Sequence, residues 1–192
     1  MSAPPEPTYP GAWALVRALS RSERNAVVAV SLALAAACLV RFGFEGRTLV
    51  GAVFAATLVL LAAIDLERRL IPNAIVLPAL ALVLVLQIAF YPDQTVEWLL
   101  AGLGAALFLF VPILIFPAGM GMGDVKLAAL LGAALGKSVV QGLLIGLLAG
   151  AVFAIAILVR QGVGARKQTI PYGPFLAFGG VVALLLGGHW QT

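Results

Sequence analysis

Two aspartates in otherwise apolar sequence are the residues whose chemistry calls for an explanation. Asp65 lies in "AAIDLERRLIPN" (62–73), directly after an apolar run, and Asp124 follows the glycines of "GMGMGDVK" (119–126). A carboxylate at membrane depth costs about 2.5–3.5 kcal/mol on insertion scales and marks a functional site by default. We therefore take both aspartates as candidate catalytic residues.

Two carboxyl groups that lie close together can carry out acid–base catalysis on one water molecule. Because like charges at close range cannot both form, such a pair shares one proton. The ionised partner takes a proton from water and the protonated partner donates to a substrate carbonyl, as in aspartic proteases. This chemistry needs neither a metal nor a cofactor, and we expect none here.

The expected helix ends predict the role of each carboxyl group. Asp124 begins a predicted helix, where the helix dipole favours negative charge, whereas Asp65 ends one, where the dipole disfavours it. The hypothesis is that Asp124 is the ionised base and that Asp65 holds the proton. The nearby charges of Arg68, Arg69 and Lys126 could weaken or reverse this preference. A pH–rate profile without a group that must be protonated would contradict it.

Each aspartate also has a plainer interpretation. Asp65 could be an interfacial residue neutralised by Arg68, three positions later on the same helix. Asp124 could be a helix N-cap, a position that favours Asp. The catalytic interpretation is favoured over these because the two acids are predicted at one depth and one of them follows a glycine run.

Gly119, Gly121 and Gly123 permit positive φ and close approach of another backbone, as an extended peptide substrate requires. Gly121 and Gly123 are therefore candidate substrate-binding residues, although glycines also serve helix packing in membranes. Lys126 could pair with Asp124 or extend toward lipid headgroups, and we include it among the candidates.

The composition places the chain among membrane proteins. Of its 192 residues, 62% are hydrophobic and 10% are charged, and the mean hydropathy is +1.10. Ordinary soluble domains carry about 25% charged residues. The net charge of +4 comes mostly from short loops, so we assign it to helix orientation and predict no nucleic acid partner.

The fold is predicted to be an all-α, polytopic membrane helix bundle, because only helices or closed barrels satisfy their backbone in lipid. About seven transmembrane helices are expected within a membrane-embedded domain, residues 26–192. Residues 1–25 form an N-terminal cytoplasmic tail or an interfacial segment, in which Trp13, Leu15, Val16 and Leu19 could lie on a short helix. The charge-free runs are 26–40, 48–64, 74–91, 98–123, 127–136, 138–159 and 169–188.

Whether the fifth run crosses the membrane decides between seven helices and six. From Val125 to Gly136 a helix would be only ~18 Å long. If it crosses, nine Lys and Arg lie on the cytoplasmic side and three outside; if not, the division is seven to five. Positive charge collects on the cytoplasmic side, which favours seven. Asp65 and Asp124 then lie at the same, cytoplasmic face.

Three motifs in this order resemble the type IV prepilin peptidases, the GxGD-type aspartic proteases of bacterial and archaeal membranes. They are Asp65 followed by "IPN" (71–73), "GMGD" with "VK" (121–126), and "IPYGPFLAFGG" (170–180), and the resemblance covers residues 48–188. It implies catalysis by Asp65 and Asp124 at the cytoplasmic face of the inner (cytoplasmic) membrane. The implied substrates are prepilins, pseudopilins, Flp-type pilins or archaellins, cut between a short basic leader and an apolar helix.

The resemblance suggests further site residues and one missing activity. Glu67 is a candidate for attracting the basic leader, and Pro171 and Gly173 for shaping the mouth of the site. Larger bacterial members carry a cysteine-rich insert near the N-terminus and also methylate the new amine. This chain has one cysteine, Cys38, and only "RFGFEGR" (41–47) between its first two apolar runs. We therefore expect no methyltransferase activity, as in compact, peptidase-only members.

Two other classes of function compete with the peptidase. A small transporter or proton-coupled carrier could use Asp65 and Asp124 as ion sites, but acids near one face suit a protease better. A non-catalytic assembly protein would tolerate loss of both acids. Cleavage of a coexpressed prepilin by wild type, but by neither Asp→Asn variant, would distinguish the three.

Overall fold

The computed structural model describes residues 12–115, 121–161 and 171–187, and these residues form eight α-helices. A short helix is followed by seven apolar ones, each overlapping one of the seven predicted charge-free runs, so the predicted all-α membrane helix bundle is confirmed. The helices are α1 (Ala12–Ala18), α2 (Arg21–Phe42), α3 (Gly46–Arg68), α4 (Asn73–Phe90), α5 (Thr95–Ile115), α6 (Met122–Leu135), α7 (Val139–Gln161) and α8 (Gly173–Leu186).

Helix length divides the apolar helices into two groups. By length and composition, five stretches of the described chain can cross a membrane: α2, α3, α4, the region of α5, and Met122–Arg160 counted as one. Helices α6 and α8 have only 14 residues each, or ~21 Å, against a hydrocarbon core of ~30 Å.

Contacts between helices define two ends of the bundle. At one end, which we call the aspartate end, Asp65 on α3 meets Gly173 at the start of α8, and Asn73 at the start of α4 meets Lys126 on α6. At the far end, Arg41 on α2 donates to the Leu185 carbonyl.

The same far end holds three basic residues. The Arg47 guanidinium lies over the Tyr91 ring, and Lys137 pairs with Glu97. Arg41, Arg47 and Lys137 are the three cations that the charge count predicted away from the aspartates. The structure therefore places both aspartates at the end opposite these cations.

Helix α6 is the central helix and runs through the bundle from end to end. Near its start, Lys126 contacts Asn73 at the beginning of α4; near its finish, the Ala134 carbonyl accepts a hydrogen bond from Gln87 in the last turn of α4. Ten of its 14 residues are buried. Because neighbouring helices rather than lipid cover α6, a short helix suffices there.

Glycines let several helix pairs approach at backbone distance. A Cβ added at Gly146 on α7 would lie 2.8 Å from the Phe175 carbonyl oxygen on α8. Gly132 on α6 faces the backbone of Ala101 on α5, with no room for a Cβ. Close contact of this kind is typical of membrane helices.

The N-terminal region begins with a short helix. Leu15 and Leu19, at and just after α1, are buried, so this helix packs against the protein. A capping box then starts α2: the Ser20 hydroxyl accepts from the Glu23 N–H, and the Glu23 carboxylate accepts from the Ser20 N–H. As a result α2 begins at Arg21, five residues before the predicted start of the membrane domain. The first eleven residues of the predicted tail lie outside the described chain.

Candidate active site

Asp65 lies in the last turn of α3 with only 5% of its surface exposed. The helix ends at Arg68, and Arg69 adopts the left-handed conformation (φ 52°) while its N–H donates to the Asp65 carbonyl at 2.8 Å. This turn redirects the chain toward α4 immediately after the acid. The Asp65 side chain is left pointing into the protein, where α8 begins.

A glycine at the start of α8 holds the Asp65 carboxyl group. The Gly173 N–H donates to Asp65 Oδ2 at 3.0 Å, joining residues 108 positions apart. A Cβ at position 173 would lie 2.6 Å from that same oxygen. Any side chain there would displace the acid, so glycine is required for the contact. The first N–H groups of a helix are not used within the helix and are available as donors.

Asp124 is the third residue of α6 and is 8% exposed. Its Oδ2 accepts a hydrogen bond from the Gly121 N–H at 3.2 Å. Gly121, not Asp124, occupies the N-cap, so the simple N-cap interpretation of Asp124 is wrong, although its carboxylate does satisfy a donor at the helix start. Gly121 does not use the positive φ that glycine permits, since its φ is −87°; Gly119 lies outside the described residues.

The two acids share one end of the bundle and the same type of support. Each has one oxygen held by a glycine N–H beside the start of a helix. In the described part of the chain Arg68 makes no ion pair with Asp65. The interpretation of Asp65 as an interfacial residue neutralised by Arg68 therefore has no ion pair to support it. What the arrangement offers chemically is two buried carboxyl groups with fixed positions.

The start of α6 is fastened to the segment before α4. Gly123 packs directly against Ile71: a Cβ at 123 would lie 2.8 Å from the Ile71 Cβ. Lys126 Nζ donates to Asn73 Oδ1 at 2.6 Å. Lys126 thus pairs with Asn73, not with Asp124 as one sequence alternative had it. We call these two contacts the α4–α6 clamp.

The remaining candidates lie at the same end with different surroundings. Glu67 is exposed, and its carboxyl group faces that of Glu23 at the start of α2. Pro171 is half-buried just before α8. Tyr172, the N-cap of α8, packs edge-on against Phe175 at 6.5 Å between ring centroids.

Three residues that contact the predicted set had no assigned role: Ile71, Asn73 and Glu23. The sequence does contain a signal for the first two, because "IPN" is part of the resemblance, but no local rule pairs Asn73 with a lysine 53 positions away. Glu23 is explained locally by its capping box with Ser20. Across the described residues, no group of three or more His, Cys, Asp or Glu gathers as a metal site would require.

Comparison with known proteins places the chain in a family. Residues 52–159 match the type IV leader peptidase family. A prepilin leader peptidase/N-methyltransferase of Bacillus subtilis is 33% identical over 159 residues, which cover 82% of this chain and 64% of that protein. Proteins of the same name from Burkholderia pseudomallei and Xanthomonas campestris are 33% and 36% identical, over 81% and 80% of this chain.

The chain spans 52% and 55% of the length of the Burkholderia and Xanthomonas relatives. No solved structure is significantly similar to it. The family match covers more than half of the chain, from α3 to α7, and includes both aspartates. The chain therefore belongs to the type IV leader peptidase family.

Proposed function

We propose that the protein is a membrane aspartic endopeptidase that removes the leader peptide from type IV prepilin-like substrates. One observation carries the proposal: two aspartates, far apart in sequence, are both buried at one end of the bundle, each with one oxygen fixed by a glycine N–H. Membership of the leader peptidase family supports the substrate class.

In the proposed mechanism, one water molecule binds between the two carboxyl groups. Ionised Asp124 removes a proton from the water, whose oxygen attacks the scissile carbonyl carbon, while protonated Asp65 donates its proton to the carbonyl oxygen. The tetrahedral intermediate then breaks its C–N bond. Asp124 passes its proton to the leaving amine, and Asp65 recovers its proton from the collapsing intermediate. Both acids return to their starting states.

The glycine contacts supply the geometry for this mechanism. With one oxygen of each carboxyl held by a backbone donor, the other oxygen of each is left to face water and substrate. A fixed pair avoids the reorientation that free carboxylates would need, and precise placement of reacting groups accounts for much of enzymatic rate enhancement. We assign Gly121 and Gly173 to positioning the acids, and Gly123 and Lys126 to the α4–α6 clamp, in preference to direct contact with substrate.

The substrate is expected to enter with its leader at the aspartate end and its apolar helix in the membrane. The facing carboxyl groups of Glu67 and Glu23 provide acidic groups for a basic leader, and Pro171 lies beside the start of α8, next to Asp65. The three far-end cations support a cytoplasmic position for the aspartate end, since cations are fewer outside. The enzyme would then act at the inner face of the cytoplasmic membrane.

Methylation of the new N-terminus is not part of the proposed activity. The turn between α2 and α3 is only three residues long, Gly43 to Glu45, and leaves no room at this point for the cysteine-rich insert expected of methylating relatives. Incubating the cleaved product with labelled S-adenosylmethionine and the purified protein tests this directly. Incorporation of label into the product would contradict it.

The test of the peptidase is coexpression with a prepilin-type substrate, followed by immunoblotting for the processed form. Wild type should cleave, and Asp65→Asn and Asp124→Asn should each abolish cleavage while inserting normally. Asp93→Asn is the matched control, because Asp93 is an exposed acid in the turn before α5. A carrier would leave the substrate uncut in every case, and cleavage by both aspartate variants would exclude the proposed catalytic pair.

A further inference from the structure

An apolar groove of about 770 Å³ opens on the outside of the bundle, between α5 and the start of α7. It lies away from the aspartates and has no part in the proposed reaction. Its volume is within the ~300–1,000 Å³ typical of small-molecule sites. Leu100 and Val140 on its rim are 63% and 60% exposed, so the groove faces the lipid.

The groove extends along the helices for about the thickness of one leaflet of a bilayer. Along α5 its lining runs from Val96 to Phe108, or ~18 Å of helix. Half of a hydrocarbon core of ~30 Å is about 15 Å. On α7 the lining ends at Leu144, in the second turn. The groove therefore begins at the far end of the bundle and stops near its middle.

A glycine in the groove has no packing partner. A Cβ at Gly102 on α5 would meet the Ala129 carbonyl oxygen at 3.2 Å, so that glycine serves a helix contact. A Cβ at Gly104 would meet nothing within 4 Å. A glycine inside a helix costs about 0.5–1 kcal/mol relative to alanine. What Gly104 provides in return is a wider groove, lined beside it by Ala101 and Ala105.

A cation stands at the mouth of the groove. Lys137 Nζ lies 2.9 Å from Glu97 Oε2, and its side chain is 73% exposed. The Glu97 carboxylate also accepts from the Lys137 backbone N–H at 3.1 Å, which fixes the pair at the end of the groove. An ammonium group has three donors, and the ion pair with Glu97 engages one. The other two can bind an anionic group at headgroup level.

We propose that this groove binds a phospholipid of the leaflet opposite the aspartates, with one acyl chain against Gly104 and the phosphate on Lys137. A one-leaflet depth, an apolar lining and a cation at the mouth match an acyl chain followed by a phosphate. A substrate helix, ~10–12 Å across, would need a groove continuing to the aspartates, but this groove stops at Phe108 and Leu144.

The test is native mass spectrometry of the purified protein in detergent, titrated with phosphatidylethanolamine or with diacylglycerol carrying the same chains. Gly104→Phe fills the groove and should weaken phosphatidylethanolamine binding about tenfold or more. Leu103→Phe is the matched control: it places the same ring on the neighbouring residue, which is exposed but outside the lining, and should leave binding unchanged. Gly104→Leu serves if the larger variant does not fold, with circular dichroism as the check.

The phosphate contact is tested separately. Lys137→Gln should weaken phosphatidylethanolamine roughly threefold, as expected for an exposed charged contact, and leave diacylglycerol unchanged; Arg47→Gln at the same end should affect neither. Equal lipid binding by the Gly104 and Leu103 variants would overturn the proposal. A dimer in the mass spectrum of wild type that is lost in Gly104→Phe would also overturn it, because the groove would then be occupied by a second copy of the chain. Displacement of the lipid by a substrate-helix peptide would also overturn it.

Discussion

Gly173 is the residue whose replacement tests the site most directly. Its N–H holds Asp65, and a Cβ there would lie 2.6 Å from the carboxylate oxygen. We expect Gly173→Ala to lower kcat about 10²-fold, because misplacement of a catalytic group by ~1 Å has an effect of that size, and to leave KM for the prepilin nearly unchanged. Steady-state kinetics on purified enzyme, with Gly104→Ala as the control, measures both constants.

A higher KM for Gly173→Ala with an unchanged kcat would instead make Gly173 a substrate-binding residue, as the sequence alone suggested. The two assignments therefore predict different kinetic constants for the same variant. Circular dichroism of the variant separates either outcome from misfolding.

Lys126 and Asn73 should behave as one unit. If the clamp positions α6, Lys126→Met and Asn73→Leu should each lower kcat several-fold, and the double variant should be no worse than either alone. A double-mutant cycle on thermal stability should give a coupling of about 0.5–1 kcal/mol, the size expected for an exposed contact. Additive losses would show that the two side chains act independently.

At the level of residues, the sequence singled out the two buried acids but not their hydrogen-bond partners. Asp65 and Asp124 were identifiable because charge within apolar runs is rare and costly. The donors at Gly121 and Gly173 are backbone N–H groups, whose role cannot be read from the residue type. The partner of Lys126 was missed because Asn73 is distant in sequence and becomes a neighbour only when α4 and α6 pack in parallel.

At the level of elements, replacement of glycine by alanine is expected to have opposite effects on stability at two positions. Gly132→Ala should destabilise the protein by about 1–3 kcal/mol, because the added methyl meets the Ala101 backbone on α5. Gly104→Ala should stabilise by about 0.5–1 kcal/mol, because its methyl meets open space within a helix. Unfolding followed by circular dichroism in detergent compares the two. A destabilised Gly104→Ala would contradict the groove geometry at that position.

Helix positions were predictable because apolar runs between charges have few alternatives in lipid. The helix boundaries were less predictable: α2 starts earlier than predicted because the Ser20–Glu23 capping box extends it. The run 98–123 was longer than one crossing needs, and α5 occupies Thr95–Ile115 of that region. The short α6 is explained only by its central place, which depends on five neighbouring helices and not on its own composition.

At the level of the whole molecule, the topology predicts on which side of the membrane each loop lies. Lys137 and Gln161 stand at opposite ends of α7, 23 residues long, so single cysteines at these positions should react from opposite sides. In intact cells a membrane-impermeant maleimide should label Lys137→Cys, and Gln161→Cys only after permeabilisation. Cys38 is buried, and Cys38→Ala gives a clean background. Labelling of both positions in intact cells would mean that α7 does not cross.

The hydrogen bond between Asp65 and Gly173 also sets an order of events during synthesis. Asp65 leaves the ribosome 108 residues before the glycine that holds it, so a growing chain carries Asp65 without its N–H partner, whereas Gly121 precedes Asp124. If the protein is the proposed peptidase, it should therefore become able to cleave substrates only once α8 has been made. Ribosome-stalled chains that end within α7 should insert into the membrane but should not cleave a prepilin. Cleavage of a prepilin by such chains would contradict this order of events.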